Sequence, residues 1–344
     1  VFFPLRKYED LIIVMFLADL INCFKNNFIF APNRLSCMKK IFLLFIIFIT
    51  AFSTAEAQRK RGRFLDRSEI TYGLGFTNFL GELGGANQVG TNGLRDLEFL
   101  MTRPAINLGF RYRKSPILSY KANLTYGRVA GRDSLTLEPF RRNRNLSFRS
   151  PIVELSGQLE ISVLQLRSTK SRYRLQGVRG RSGIDLNVYG FVGVGGFWFN
   201  PKGKLGGRWW ALQPLGTEGQ GIAATREPYR RVQMCFPIGF GFRVPLSDKN
   251  WTIGFEYGMR ITTTDYIDDV STTYFSPTLI GEKNTAVAAS LSNRANPNSP
   301  DFIPGSAVTG QQRGDPTDRD AYMFGIITLN YRLKSGRSVL PKFR

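Results

Sequence analysis

Apolar and polar residues take turns along much of the chain. Trp251, Ile253, Phe255, Tyr257, Met259 and Ile261 are interleaved with Thr252, Gly254, Glu256, Gly258, Arg260 and Thr262. Ile106, Leu108, Phe110 and Tyr112 alternate with Asn107, Gly109, Arg111 and Arg113. Val153, Leu155, Leu159 and Ile161 alternate with Glu154, Ser156, Gln158, Glu160 and Ser162. Val232, Met234, Phe236, Ile238, Phe240 and Phe242 alternate with Arg231, Gln233, Cys235, Gly239, Gly241 and Arg243. A period of two puts alternate side chains on opposite faces of a sheet. Stretches 69–79, 119–128, 184–199 and 321–333 follow the same period with more exceptions. Eight such segments predict an all-β fold, an eight-stranded antiparallel transmembrane β-barrel with long extracellular loops.

Two soluble folds share the period. A lipocalin-like barrel turns its apolar face inward, and a β-sandwich uses shorter strands. Here the polar face mixes glycine with isolated charges of both signs, which suits a narrow lumen. Tyr72, Tyr112, Trp198, Trp251 and Tyr331 are expected as aromatic girdles at the two lipid interfaces. The connections alternate in length. Those around Lys114-Ser115-Pro116 and Pro245–Lys249 are short, whereas 80–103, 129–147, 200–229 and 264–319 are long. Short turns belong on the periplasmic side and long loops outside. Arg167–Gly183 is the exception, a long connection at a periplasmic position.

The first 57 residues read as something other than fold. Met38-Lys39-Lys40, the apolar run Ile41–Phe52 and Ser53-Thr54-Ala55-Glu56-Ala57 form the tripartite pattern of a secretory signal peptide over 38–57. Residues 1–37 are then expected to be an upstream gene-model extension, and 58–344 the barrel, placed in the outer membrane. The rival reading of 11–20 as an apolar helix is weakened by Glu9, Asp10 and Asp19.

Composition narrows the chemistry. There is no histidine, which removes Ser-His-Asp and Cys-His catalysis and imidazole metal ligation. No catalytic, cofactor-binding or metal site is expected, and no cofactor. Gly190–Gly196 (GFVGVGG) superficially resembles a phosphate loop but lies inside a strand, where packing in a crowded lumen explains it. Asp265, Asp268, Asp269, Asp315, Asp318 and Asp320 bracket the longest loop; a Ca²⁺ site is weighed there against solvated acids partly paired with Arg. Arg111, Arg113, Lys121, Glu154, Glu160, Asp185, Arg231, Arg243, Glu256, Arg260 and Arg332 are expected to point inward. Among them Arg111, Glu154, Glu160, Arg243, Glu256 and Arg260 are assigned to a lumen ion-pair network, because eight strands leave no room for a pore. Cys235 shares that face as a small packing residue.

From residue 58 on, 41 basic residues face 22 acidic ones. Arg141, Arg142 and Arg144 in an outer loop are expected to meet lipopolysaccharide phosphates. Arg167, Lys170, Arg172, Arg174, Arg179 and Arg181 suggest a dock for an acidic periplasmic partner. Nucleic acid is not expected in that compartment.

The first strand and its exit read Glu69-Ile70-Thr71-Tyr72-Gly73-Leu74-Gly75-Phe76-Thr77-Asn78-Phe79-Leu80-Gly81-Glu82-Leu83-Gly84-Gly85. This resembles the opening of a Bacteroidetes outer-membrane β-barrel family, of which PorG, a component of the type IX secretion system, looks like a member. The resemblance implies a non-enzymatic barrel contacting periplasmic proteins of a secretion and gliding complex, with no catalytic residues to carry over. The expected function is therefore an outer-membrane anchor or accessory subunit of such a complex. The alternative is a stand-alone barrel whose outer loops bind ligands or brace the envelope.

Overall fold

A computed structural model of the chain describes residues 62–81, 83, 101–166, 185–248 and 250–334. The expected signal segment, the residues before it and the basic connection 167–183 lie outside the described residues.

A single helical turn, α1 (Gly62–Leu65), leads into β1 (Ser68–Leu80), β2 (Arg103–Arg113) and β3 (Leu118–Arg132). A short helix α2 (Pro139–Arg144) precedes β4 (Ser147–Leu166) and β5 (Leu186–Phe199). The hairpin β6 (Lys202–Leu205) and β7 (Arg208–Ala211) follows, then β8 (Val232–Pro245) and β9 (Trp251–Thr262). Helices α3 (Pro277–Lys283) and α4 (Ala286–Ser292) stand before the last strand, β10 (Ala321–Arg332).

Eight strands form the wall. Each of β1–β5 and β8–β10 pairs antiparallel with its neighbour, and β1 pairs with β10 from Glu69↔Arg332 to Leu80↔Ala321, so the sheet closes on itself. The fold is the closed eight-stranded antiparallel barrel that the alternation predicts. The hairpin β6–β7 was not foreseen. It pairs with the start of β4 (Phe148↔Gly203, Arg149↔Lys202) and extends that part of the wall as a tab.

The faces are inverted relative to a water-soluble barrel. Leu74, Leu155 and Val232 are 69%, 66% and 67% exposed on the outer surface, whereas Arg111 and Glu154 are fully buried inside. Exposed apolar area on this scale marks a membrane-facing surface. Among the described residues no helix is long and apolar enough to cross a membrane, which says nothing of strands. At the short-turn end Trp251 packs at a tilt against Tyr331 at 4.7 Å and Phe64 of α1 stacks on Tyr112 at 5.0 Å, forming an aromatic rim. Tyr72 is not at the rim as expected. It sits inside β1 between Leu108 and Leu329, part of the apolar wall.

Glycines let large rings cross the lumen. The Phe191 ring lies over Gly239 and Gly258, and a Cβ on Gly241 would stand 2.6 Å from the ring carbon and hydroxyl of Tyr189. Of the glycine-rich run, only Gly193 and Gly195 share the inward parity of Tyr189 and Phe191; Gly190 and Gly196 lie on the outer face. Lumen crowding therefore accounts for half of that motif.

Candidate functional site

The lumen holds two tiers of buried charge. Arg111, on β2, is the hub of the lower one. Its Nε donates to both carboxylate oxygens of Glu160 (3.0 and 2.8 Å), Nη1 to Glu69 (3.2 Å) and the Asn330 side chain (2.9 Å), and Nη2 to Glu256 (3.1 Å). Lys121 Nζ donates to both oxygens of Glu256 at 2.6 Å, and Tyr189 Oη donates to the same carboxylate at 2.7 Å. Arg243 stands 3.3 Å from Glu160 and 4.2 Å over the Tyr189 ring. In the upper tier Glu154 accepts from Arg260 (3.2 Å), Tyr322 (2.9 Å) and Ser156 (2.9 Å), and Arg260 lies over Phe324. Each buried charge thus meets a partner, as the cost of leaving one unpaired demands.

Arg111, Glu160, Arg243 and Glu256 come together in the lower tier, and Glu154 with Arg260 in the upper. Glu69 was missed, although it shares the parity of Gly73 and Gly75 and pairs with Arg111 and Arg113. Tyr189, Tyr322 and Asn330 were missed because residue type alone does not mark them as network members. Arg113 and Arg332 sit at the lower rim rather than deep inside, with side chains 33% and 41% exposed. Asp185 is exposed ahead of β5, and Arg231 is half-buried ahead of β8. Cys235 is buried among the upper-lumen residues.

Above the ion pairs the lumen turns apolar. Phe79, Val129, Phe148, Ile152, Phe197 and Phe199 line its upper end and continue into a packed cap. Leu146 from connection 133–146, Leu212, Leu215 and Tyr229 from 200–231, and Ile267, Val270, Ile280, Ala288 and Leu291 from 263–320 form one core with them. The expected long loops are a folded layer over the mouth. Gly219, at φ +82, lets the Phe275 ring pack against its backbone, where a Cβ would come within 2.6 Å.

A relay of buried ion pairs ties the three connections. Asp133 binds Arg144 through two bonds of 2.8 and 2.9 Å, and Arg144 donates to the Arg313 carbonyl at 2.6 Å. Arg313 donates to Glu218 at 2.7 Å and to the Asp269 carbonyl at 2.7 Å. Glu218 also accepts from the backbone of Ser271 (3.0 Å) and Thr272 (3.1 Å). Asp269 accepts from Tyr229 Oη at 2.6 Å and from Thr217. Burial raises the Asp269 carboxyl to about 6, against the opposing pull of Arg313. Burial, reinforced by Asp269, pushes the Tyr229 hydroxyl well above its ordinary range. Arg313 is raised because Glu218 and Asp269 outweigh the desolvation that works against its charge.

This corrects the reading of the loop acids as solvated and that of Arg144 as an outward-facing cation. The loop acids are structural and mostly buried rather than solvated: Asp268 accepts from the backbone of Leu83 and Val270, and Asp320 from that of Ile267. Among the described residues no three such acids stand close enough to hold a metal ion. Of the arginines expected to meet lipopolysaccharide, Arg144 is buried in the relay and Arg142 pairs with Asp301 at 3.0 Å.

Residues 39–191 match a family model described as a domain of unknown function (DUF6089). No curated protein sequence matches the chain. Among solved structures the chain is similar to Ail, the attachment invasion locus protein of Yersinia pestis. The identity is 8%, covering 77% of this chain and 98% of that one, with a TM-score of 0.32. A structure of Ail with the heparin analogue sucrose octasulfate gives 9% identity over 77% and 98%, with a TM-score of 0.31. Neisserial surface protein A gives 8% identity over 77% and 97%, with a TM-score of 0.27. The family match runs from ahead of β1 into β5 and covers less than half of the chain.

Proposed function

We propose that this chain is a non-enzymatic outer-membrane barrel whose working part is the cap, held outside the cell as a rigid surface for ligand binding or envelope bracing. One observation carries the reading. Two tiers of ion pairs and an apolar plug fill the lumen, while three connections build a single folded layer over one mouth. A filled lumen supports neither a pore nor a buried active site, and the cap has a buried core and ion-pair relay of its own. The test is an epitope inserted at Gly206-Gly207, the tip of the β6–β7 hairpin. Antibody should label it on intact cells. Labelling only after the outer membrane is permeabilised would overturn the reading.

A second reading rests on the sequence of 167–183. Six basic residues there, Arg167, Lys170, Arg172, Arg174, Arg179 and Arg181, favour a periplasmic dock for a type IX-like secretion or gliding complex. In-cell crosslinking should capture acidic periplasmic proteins, and neutralising Arg172, Arg174, Arg179 and Arg181 should abolish the capture. A barrel recovered without partners, with secretion intact after its deletion, would sink this second reading.

A further inference from the structure

Strand register gathers five cations on one outward face at the cap end of the barrel. Arg128 and Arg132 lie on β3, Arg149 on β4, and Lys202 and Lys204 on β6. The pairs Ala130↔Arg149, Arg132↔Ser147, Arg149↔Lys202 and Lys204↔Trp209 keep all five on the same side of the sheet. Arg149 stacks 3.8 Å over the Trp209 ring. Among the described residues none of the five forms an ion pair with a carboxylate, in contrast to the arginines of the lumen and the relay. At the upper edge a groove of about 390 Å³ is lined by Arg132, Lys204 and Arg294, with no acid in its wall.

The height of this face matters as much as its charge. Arg128 is the next outward position after Tyr126, which is 47% exposed in the apolar belt. Two residues of strand advance about 7 Å, the step from hydrocarbon to the polar headgroup zone. An aromatic ring beside cations at that depth is the usual composition of a headgroup contact. At the same end the outward-parity positions Asn78 and Leu80 of β1 and Ala321 and Met323 of β10 are buried, and Ile261 of β9 is apolar. The five cations themselves lie on the adjoining strands β3, β4 and β6.

We propose that the outer face of β3, β4 and the β6–β7 tab is a binding site for an anionic phospholipid or glycolipid of the surrounding leaflet. Its phosphates lie on Arg128, Arg149, Lys202 and Lys204, and its acyl chains run down the apolar wall past Tyr126 and Val153. The site rests on the membrane reading given above.

The test uses the purified barrel in nanodiscs of phosphatidylcholine with a small fraction of diphosphorylated lipid A, and measures the lipid A retained. Wild type should enrich lipid A. The combined variant Arg128→Gln, Arg149→Gln, Lys202→Gln and Lys204→Gln, all on the surface, should lose that enrichment by roughly tenfold or more. Heat-modifiable gel mobility reports that the variant is folded. Equal retention by wild type and variant overturns the proposal. So does full competition by inorganic pyrophosphate at the concentration of the lipid, which would make this a site for soluble anions. Failure to enter nanodiscs at all would instead strike the membrane reading.

Discussion

Replacing Arg111 by Met keeps much of the side-chain volume and removes the charge at the centre of the lower tier. Arg111 is fully buried and stands 2.8, 3.1 and 3.2 Å from Glu160, Glu256 and Glu69. Removing one member of a buried pair costs about 3–5 kcal/mol, mostly because the other is left uncompensated. Here each carboxylate keeps a second cation: Arg243 for Glu160, Lys121 for Glu256, and Arg113 for Glu69. That places the expected loss at the low end, about 3 kcal/mol. With urea slopes of about 1–3 kcal/mol per molar, the midpoint should fall by roughly 1–3 M. The assay is urea unfolding in detergent micelles, read by the gel mobility of folded against unfolded barrel. A cycle with Glu160→Gln isolates the Arg111–Glu160 coupling, since the loss of Arg243's carboxylate is common to the single Glu160→Gln and the double variant. Its coupling should exceed about 1 kcal/mol, well above the non-additivity of independent sites. Additive losses within about 0.5 kcal/mol, or a midpoint unchanged by Arg111→Met alone, would refute the network as a stabilising unit. Arg142→Gln is the control, because its pair with Asp301 is partly exposed and should contribute under about 1 kcal/mol.

Three further outcomes are expected. Asp269 has a folded carboxyl raised from 3.8 to about 6, so the folded cap binds the proton more tightly. Cap stability should therefore fall as pH rises from about 4 to about 6 and level off above, by at most about 3 kcal/mol. Asp269→Asn, facing the same Arg313, Glu218, Asp268 and Tyr229, should remove that slope in amide exchange of 263–320, and an identical slope in both proteins would contradict the assignment. Gly241→Ala drives a methyl into Tyr189 and should loosen its bond to Glu256, costing about 1–3 kcal/mol in urea unfolding; a neutral result would mean the ring has room to move. Planar bilayers containing the protein should show no steady conductance, and a stable open channel in the wild type would contradict the sealed lumen.

Much of the barrel was legible in the order of residues because a strand has only two faces. Once lipid lies on one side, parity assigns every position, and Arg111, Glu154, Glu160, Arg243, Glu256 and Arg260 fall inward without any knowledge of neighbours. Parity says nothing about partners. Glu256 meets Lys121 across 135 residues of chain, and Arg111 meets Asn330 across 219, because β1 closes on β10 and fixes the height of each side chain. Glu69 shows the same limit, as its parity was visible but its place beneath Arg111 was not.

The cap was illegible for a different reason. Its core residues are scattered singly through 133–146, 200–231 and 263–320, with no period to report a buried face. Leu212, Ile267 and Ile280 become core only when three connections meet over one mouth, and Arg144 becomes an internal clamp only when Arg313 and Asp133 arrive beside it. By itself, then, the sequence determined the number of wall strands, their facing and the sign of each surface, since these follow from local alternation against a two-sided environment. Closure, register and the docking of loops decided which charges pair and that the mouth is capped, because those energies exist only between residues distant in the chain.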